Sequence, residues 1–227
     1  MPKGSEASSA IGPSDKLRIS GHLPAILRKE SRTLLLLSQH PKAAGALLEE
    51  LSAAEISGSL SVDRLEQCKW LDSVIRESLR ILPPVPVQVR KALRDADLID
   101  CDVKRKTRVI RSPFLTNRLP ELYPDGDRFK PERWSSITPS QYEYLVFSGG
   151  PRTCIGYWFA MTFLKIAIAQ IVRAYRFTII PGARIDYRLS VAIWPSRGIP
   201  VFVHAQDRRF GASPIEGNLC QLVRFHS

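Results

Sequence analysis

No run of apolar residues in this chain is long enough to cross a bilayer. The longest, around Leu34 to Leu37, falls far short of the roughly 20 residues a spanning helix needs. The first residues also lack the basic-then-apolar order of a secretory signal, so the sequence reads as cytoplasmic. Cysteine is scarce. Cys68, Cys101, Cys154 and Cys220 form no CxxC pair, and His22, His40, His204 and His226 do not bracket them at zinc-ligand spacing; both a disulfide framework and a zinc site are argued against. Low-complexity tracts and internal repeats are missing too. The 17 prolines are spread along a chain that is 44% hydrophobic and 24% charged, which fits one good-sized folded domain rather than disorder.

Charge is unevenly supplied: 33 Lys and Arg stand against 22 Asp and Glu, a net +11. Such an excess suits nucleic acid, an acidic protein partner or an anionic cofactor. The cations are scattered without interleaved aromatics, so a solvated surface is favoured over a nucleic-acid interface.

Along the chain, residues 1–16 are rich in Ser, Gly and Pro and read as a loose leader. A helix is predicted near Glu30 to Ser38, and His40-Pro41 restarts a second through Leu51, with Pro41 suited to a first turn. From Ser61, Leu65, Cys68, Leu71, Ile75, Leu79 and Leu82 keep three-to-four spacing, which predicts one amphipathic helix stopped by Pro83-Pro84. Short strands are expected between Val85 and Ser112, notably Thr107 to Ile110. Residues 112–140 form a long irregular stretch with five prolines. Tyr157 to Tyr175 is apolar nearly all round, as a helix at the centre of a larger body would be. Phe177 to Ile180, Leu189 to Trp194 and Ile199 to Val203 read as further short strands, and the tail from His204 onward carries no chemistry that can be read. The fold class is therefore mainly α with small β-sheets, α+β.

The chemistry concentrates in Phe147-Ser148-Gly149-Gly150-Pro151-Arg152-Thr153-Cys154-Ile155-Gly156, immediately before that apolar helix. A cysteine at a helix N-terminus has its thiolate stabilised by unpaired backbone amides and the helix dipole, which suits it to bind a metal. Gly149, Gly150 and Pro151 set a stiff turn. Gly156 lets a flat group approach the backbone, and the Arg152 guanidinium can pair with a carboxylate in forked geometry.

This segment resembles the FxxGxRxCxG signature of the cytochrome P450 family at every fixed position. Two more resemblances follow the family's order. Glu77-Ser78-Leu79-Arg80 is similar to its ExxR motif, and Pro131-Glu132-Arg133-Trp134 to its PERF-type motif. The resemblance implies a P450-like fold and haem, iron protoporphyrin, with the axial thiolate from Cys154. It implies Phe147 packed on the ligand loop, Gly156 against the macrocycle, Arg152 and Arg90 on propionates, and Arg133 joining Glu77 and Arg80 in one network. Val85 and Val87 would line the substrate pocket, with Val191 and Ile193 as its second wall. The implied activity is a monooxygenase that hydroxylates a small apolar organic substrate with dioxygen and electrons from a redox partner, a ferredoxin or reductase. Docking of that donor on the cysteine side would use part of the positive charge.

The resemblance runs over residues 33–203 and corresponds to the C-terminal half of the family, so the reading is a truncated fold with residues 204–227 as a tail. Gly21-His22 aligns with the start of the family's distal helix. Leu23 to Lys29 then holds no acid and threonine pair, and Pro24 stands where a helix should continue. Residues 1–32 are accordingly read as an irregular, frame-shifted or misjoined leader. Two other readings stand beside the enzyme: an inactive remnant or non-catalytic haem binder, and a basic nucleic-acid-binding domain.

Overall fold

The computed structural model describes residues 16–19, 27–55, 61–99, 101–189 and 192–225. Within the segment read as an irregular leader, β1 (Lys16–Ile19) forms a strand and α1 (Leu27–Gln39) is already under way. Gly21 to Ile26 lies outside the described residues. α2 (Pro41–Ala54) follows after a break at His40, because a proline with no N–H is tolerated in a helix's first turn and not in the interior of a continuing helix.

The single helix predicted from Ser61 is two. α3 (Val62–Gln67) and α4 (Lys69–Ile81) are separated at Cys68, whose backbone is extended at φ −73°, ψ 92°. The physical reason comes from another helix. The Glu50 carboxylate on α2 accepts from the backbone N–H groups of Trp70 and Leu71, each at 2.8 Å. It thereby caps the first turn of α4, where helical N–H groups have no partner of their own. Pro83 then ends the regular structure.

β2 (Gln88–Lys91) pairs antiparallel with β5 (Arg108–Arg111), and β3 (Ala96–Leu98) with β4 (Cys101–Val103). The proline-rich stretch holds a one-turn α5 (Pro113–Thr116) and a 3-10 turn at Pro131–Ser135. α6 (Tyr157–Ala174) runs directly into β6 (Tyr175–Ile179). The one strand expected from Leu189 to Trp194 is instead two. β7 (Ala183–Arg184) is followed by β8 (Tyr187–Leu189) and β9 (Ile193–Pro195), and Leu189 faces Ile193 across an antiparallel pair. The two ends of that segment are thus neighbours, and the chain reverses between them. β10 (Ile199–Ala205) sits between β1 and β6 in a three-stranded antiparallel sheet.

The core lies where α1, α2, α4 and α6 meet the β10–β6 sheet. Leu36, Leu47, Leu51, Leu71, Ile75, Leu164, Ile168 and Ile179 are wholly buried there. The tail is part of this body. β11 (Ile215–Glu216) pairs with β7, and α7 (Leu219–Leu222) buries Leu219 completely. Asn218 clasps Tyr187, accepting from its N–H at 2.7 Å and donating to its carbonyl at 2.9 Å. Only half of α6 is covered. Met161, Leu164, Ile168 and Val172 face the core, whereas Trp158 and Phe159 are exposed, and Ile155 just before the helix is fully so. Among the described residues no helix is long and apolar enough to cross a membrane.

Candidate functional site

Behind the cysteine loop, α4 delivers Glu77 and Arg80 one turn apart, both with no solvent exposure. Three residues separate them, so their side chains lie on one face and meet. Arg80 donates Nε to Glu77 Oε2 at 2.9 Å and Nη2 to Oε1 at 2.8 Å, a forked pair. The 3-10 turn brings Arg133 to the same carboxylate, with Nε 3.0 Å from Oε1. Trp134 Nε1 and the backbone N–H of Lys130 also donate to Glu77, at 3.1 and 2.9 Å.

The remaining donors of the two arginines are spent on the irregular stretch. Arg80 reaches the carbonyls of Asn117, Gly126 and Arg128 at 2.6 to 3.1 Å. Arg133 reaches those of Pro124 and Asp125 at 2.9 and 3.3 Å. A loop too polar to be held by apolar contacts is thereby fixed through its backbone. Tyr123 packs beneath Arg80, 5.2 Å from ring centre to guanidinium carbon, and burial pushes its phenol up to about 12. Arg118 is held down to about 10, first by burial and then by the neighbouring charge of Arg80. It donates to the carbonyls of Ile81 and, in the tail, Leu222.

The cysteine loop consists of two 3-10 turns, Leu145–Phe147 and Gly150–Arg152, with left-handed backbone at Ser148 (φ 66°) and Gly150 (φ 68°). Gly149 is packed so closely that a Cβ there would lie 2.8 Å from the Gln141 carbonyl oxygen. The loop closes when the Cys154 N–H donates to Phe147 O at 2.8 Å. Phe147 is buried and meets Tyr157 edge-on, ring centres 4.8 Å apart. Cys154 itself is exposed and unbridged, just ahead of the Gly156 cap of α6.

In front of Cys154 lies a cavity of about 370 Å³. Cys154, Arg152, Phe147 and Ser148 of the cysteine loop line it, together with Val85, Gln88, Ile193 and Trp194. Of the residues read from sequence, Val85, Ile193, Phe147, Arg152 and Cys154 line it. Val87 and Arg90 do not. Val87 is half-buried elsewhere, and Arg90 is exposed, its Nη1 3.3 Å from the carbonyl of its own neighbour Val89. The preceding segment is irregular up to Gln88, so strand alternation gives no rule for which of its valines turns inward. Val191 lies outside the described residues.

Arg32, Gln88, Ser148 and Trp194 at the cavity, and Trp134 on Glu77, are additions that sequence reasoning missed. Arg32 is buried and its Nη2 donates to the Ile193 carbonyl. Ser148 sits in the cysteine loop at a position the motif leaves open, and the others are brought in by distant parts of the chain, so no local pattern marks them.

The residues present suit a flat, acidic, metal-bearing group. A Cβ on Gly156 would meet nothing within 4 Å except Cys154 Sγ, at 3.8 Å. The chain's own packing therefore does not require glycine there, and the space beside the sulfur is open. The exposed sulfur is a soft ligand for iron, and the exposed Arg152 supplies a cation for an acid group. Among the described residues no cluster of three or more His, Cys, Asp or Glu is placed to hold a metal by itself.

The cytochrome P450 family model matches residues 31–198. Cytochrome P450 monooxygenase milC of Cordyceps militaris is 34% identical over 187 residues, covering 75% of this chain and 35% of that protein. Probable cytochrome P450 4d21 of Drosophila melanogaster is 35% identical over 153 residues, covering 64% of this chain and 30% of its own length. Among solved structures, retinoic acid bound cyanobacterial CYP120A1 superposes with a TM-score of 0.74 at 26% identity, over 80% of this chain and 42% of that one. The chain thus spans about a third of the length of the relatives it matches.

Proposed function

The chain belongs to the cytochrome P450 family, and we propose that it is the haem-binding part of a haem-thiolate monooxygenase in which Cys154 ligates the iron. The observation that carries this reading is the cavity that joins an exposed cysteine sulfur, an exposed arginine and apolar walls in front of a fully hydrogen-bonded support. Haem, when bound, supplies dioxygen activation and transfer of an oxygen atom to a C–H bond, using electrons from a ferredoxin or reductase.

The chain's own residues do the holding and orienting. The 3-10 loop fixes the Cys154 backbone through Phe147 O, and α6 begins three residues later, so its unpaired N–H groups and dipole favour the thiolate. Phe147 and Tyr157 pack behind the loop and keep water from that side. Arg152, and Arg90 after a side-chain rotation, are the cations for propionates. Val85 and Ile193 offer apolar surface to a small organic substrate. The network centred on Glu77 does no chemistry; it keeps the irregular stretch and the cysteine loop in register.

The test is the carbon monoxide difference spectrum of the reduced, haem-reconstituted chain. A strongly red-shifted Soret band is expected, lost in Cys154→Ala. Uptake of haem by that variant with an unaltered band would refute the ligand assignment. Turnover with a reductase system separates the enzyme from a non-catalytic haem binder. That second reading is favoured by the exposure of Trp158 and Phe159 on α6.

A further inference from the structure

One cation that the reading above does not employ lies against the cavity's lining without being part of it. Arg111, the last residue of β5, faces Gln88 across the β2–β5 ladder. Gln88 lines the cavity, and the Arg111 Nη2 donates to Ser148 Oγ, which lines it too. Arg111 is only half-exposed, and its Nε is buried with no hydrogen-bond partner among the described residues; Gln88 Oε1 is in the same condition. Burial, and after it the charge of Arg90, holds the Arg111 guanidinium below the ordinary arginine range. No salt bridge of the described residues engages Arg90, Arg111 or Arg152.

A guanidinium with an unpaired donor, beside a second cation and in no salt bridge among the described residues, is an arrangement that an incoming anion relieves. We propose that Arg111 binds a carboxylate in this cavity, a propionate of the tetrapyrrole, through the part of its half-exposed guanidinium that Ser148 does not hold. The inference rests on the haem reading and adds to it a residue outside the cysteine loop. Because Ser148 holds left-handed backbone inside that loop, Arg111 also ties carboxylate binding to the loop that presents Cys154. Arg111 is thus an anchor for the acid group.

Iron-free protoporphyrin IX and its dimethyl ester separate these effects, because neither forms the sulfur bond and only the first carries propionates. Quenching of tryptophan fluorescence in the full chain measures both affinities. Wild type is expected to prefer the free acid. Arg111→Gln should weaken free-acid binding about tenfold, the scale of one charge-assisted hydrogen bond, and leave the ester unaffected. Arg111→Lys, which keeps the charge without the forked donors, should lose less. Far-UV circular dichroism checks that each variant folds; if Arg111→Gln does not, the lysine variant decides by the same comparison.

A wild type with no preference for the free acid overturns the proposal. So does a substitution that weakens acid and ester alike, as a purely structural role would, or one that changes neither. Dodecanoate tests the other source of the same chemistry: if it displaces the ester only when Arg111 is present, the carboxylate belongs to a substrate and the propionate assignment falls. Failure of the haem reading itself shows in the Cys154→Ala spectrum, which this titration does not involve.

Discussion

Glu77→Gln is the substitution for which the structure sets the largest expected cost. The carboxylate receives five donors, from Arg80 Nε and Nη2, Arg133 Nε, Trp134 Nε1 and Lys130 N–H, at 2.8 to 3.1 Å and with no solvent contact. An amide keeps one acceptor oxygen and turns an NH2 group toward the donors that met the other. Removing one partner of a buried ion pair costs about 3–5 kcal/mol, against a total stability of about 5–15 kcal/mol for a typical domain. The urea midpoint of the purified chain, followed by circular dichroism and by tryptophan fluorescence, should therefore fall by a fifth or more. A second arm tests the reasoning behind the number. Buried ion clusters can often be exchanged for apolar residues at little cost, but Arg80 and Arg133 also hold the carbonyls of Asn117, Gly126, Arg128, Pro124 and Asp125. A triple replacement of Glu77, Arg80 and Arg133 by methionine should consequently be no more stable than Glu77→Gln, since each stranded carbonyl costs about 1–3 kcal/mol. A loss under about 1 kcal/mol for Glu77→Gln, on the scale of an exposed pair, or recovery in the triple variant, refutes the account.

Gly149→Ala places a Cβ 2.8 Å from the Gln141 carbonyl oxygen; overpacking of this kind costs about 1–3 kcal/mol, read as a lower urea midpoint together with weaker haem uptake. Lys165 is buried between Glu66 at 2.7 Å and Asp72 at 3.3 Å. Burial acts to lower its value, yet the two carboxylates outweigh it and hold the ammonium above the ordinary 10.5. Its stabilisation is fully present below pH 10.5 and fades as pH rises through the higher folded value, so the difference in urea midpoint between wild type and Lys165→Met should be constant at neutral pH and shrink in strong alkali. Gly217 adopts φ 102°, and a Cβ there would sit 2.4 Å from Ile185 O; Gly217→Ala should release the tail, measured as new proteolytic cleavage after Ala205.

What the sequence disclosed was local. The helix of the ExxR motif, the cysteine loop and the long apolar helix each show in a run of adjacent residues. Three-to-four spacing, paired glycines and a proline stop are properties of one segment. What it did not disclose depends on partners far along the chain. Nothing near Cys68 announces a helix break, because the capping carboxylate is Glu50 on another helix. The strand read across Leu189 to Trp194 is a reversal, since β-propensity does not distinguish one run from two ends that pair. The family's residues also gave no reason to single out Gln88 over Val87, or Arg111 at all. Their places follow from the β2–β5 register, which turns residues 88 and 111 toward Ser148.

The two sides of the cysteine loop differ in a way that bears on how the site acquires its ligand. Behind the loop, Glu77, Arg80 and Arg133 satisfy one another and the backbone around them. In front, Arg111 Nε and Gln88 Oε1 are buried without hydrogen-bond partners among the described residues, and Cys154 and its chain neighbour Ile155 are exposed. A support that is complete before binding means that little ordering remains to be done when a ligand arrives, so its interactions appear largely as affinity. An unpaired donor and an exposed sulfur in front mean that favourable energy still to be gained lies there. The proximal scaffold is therefore expected to keep its form without haem, and the front of the site to draw its stability from what covers it.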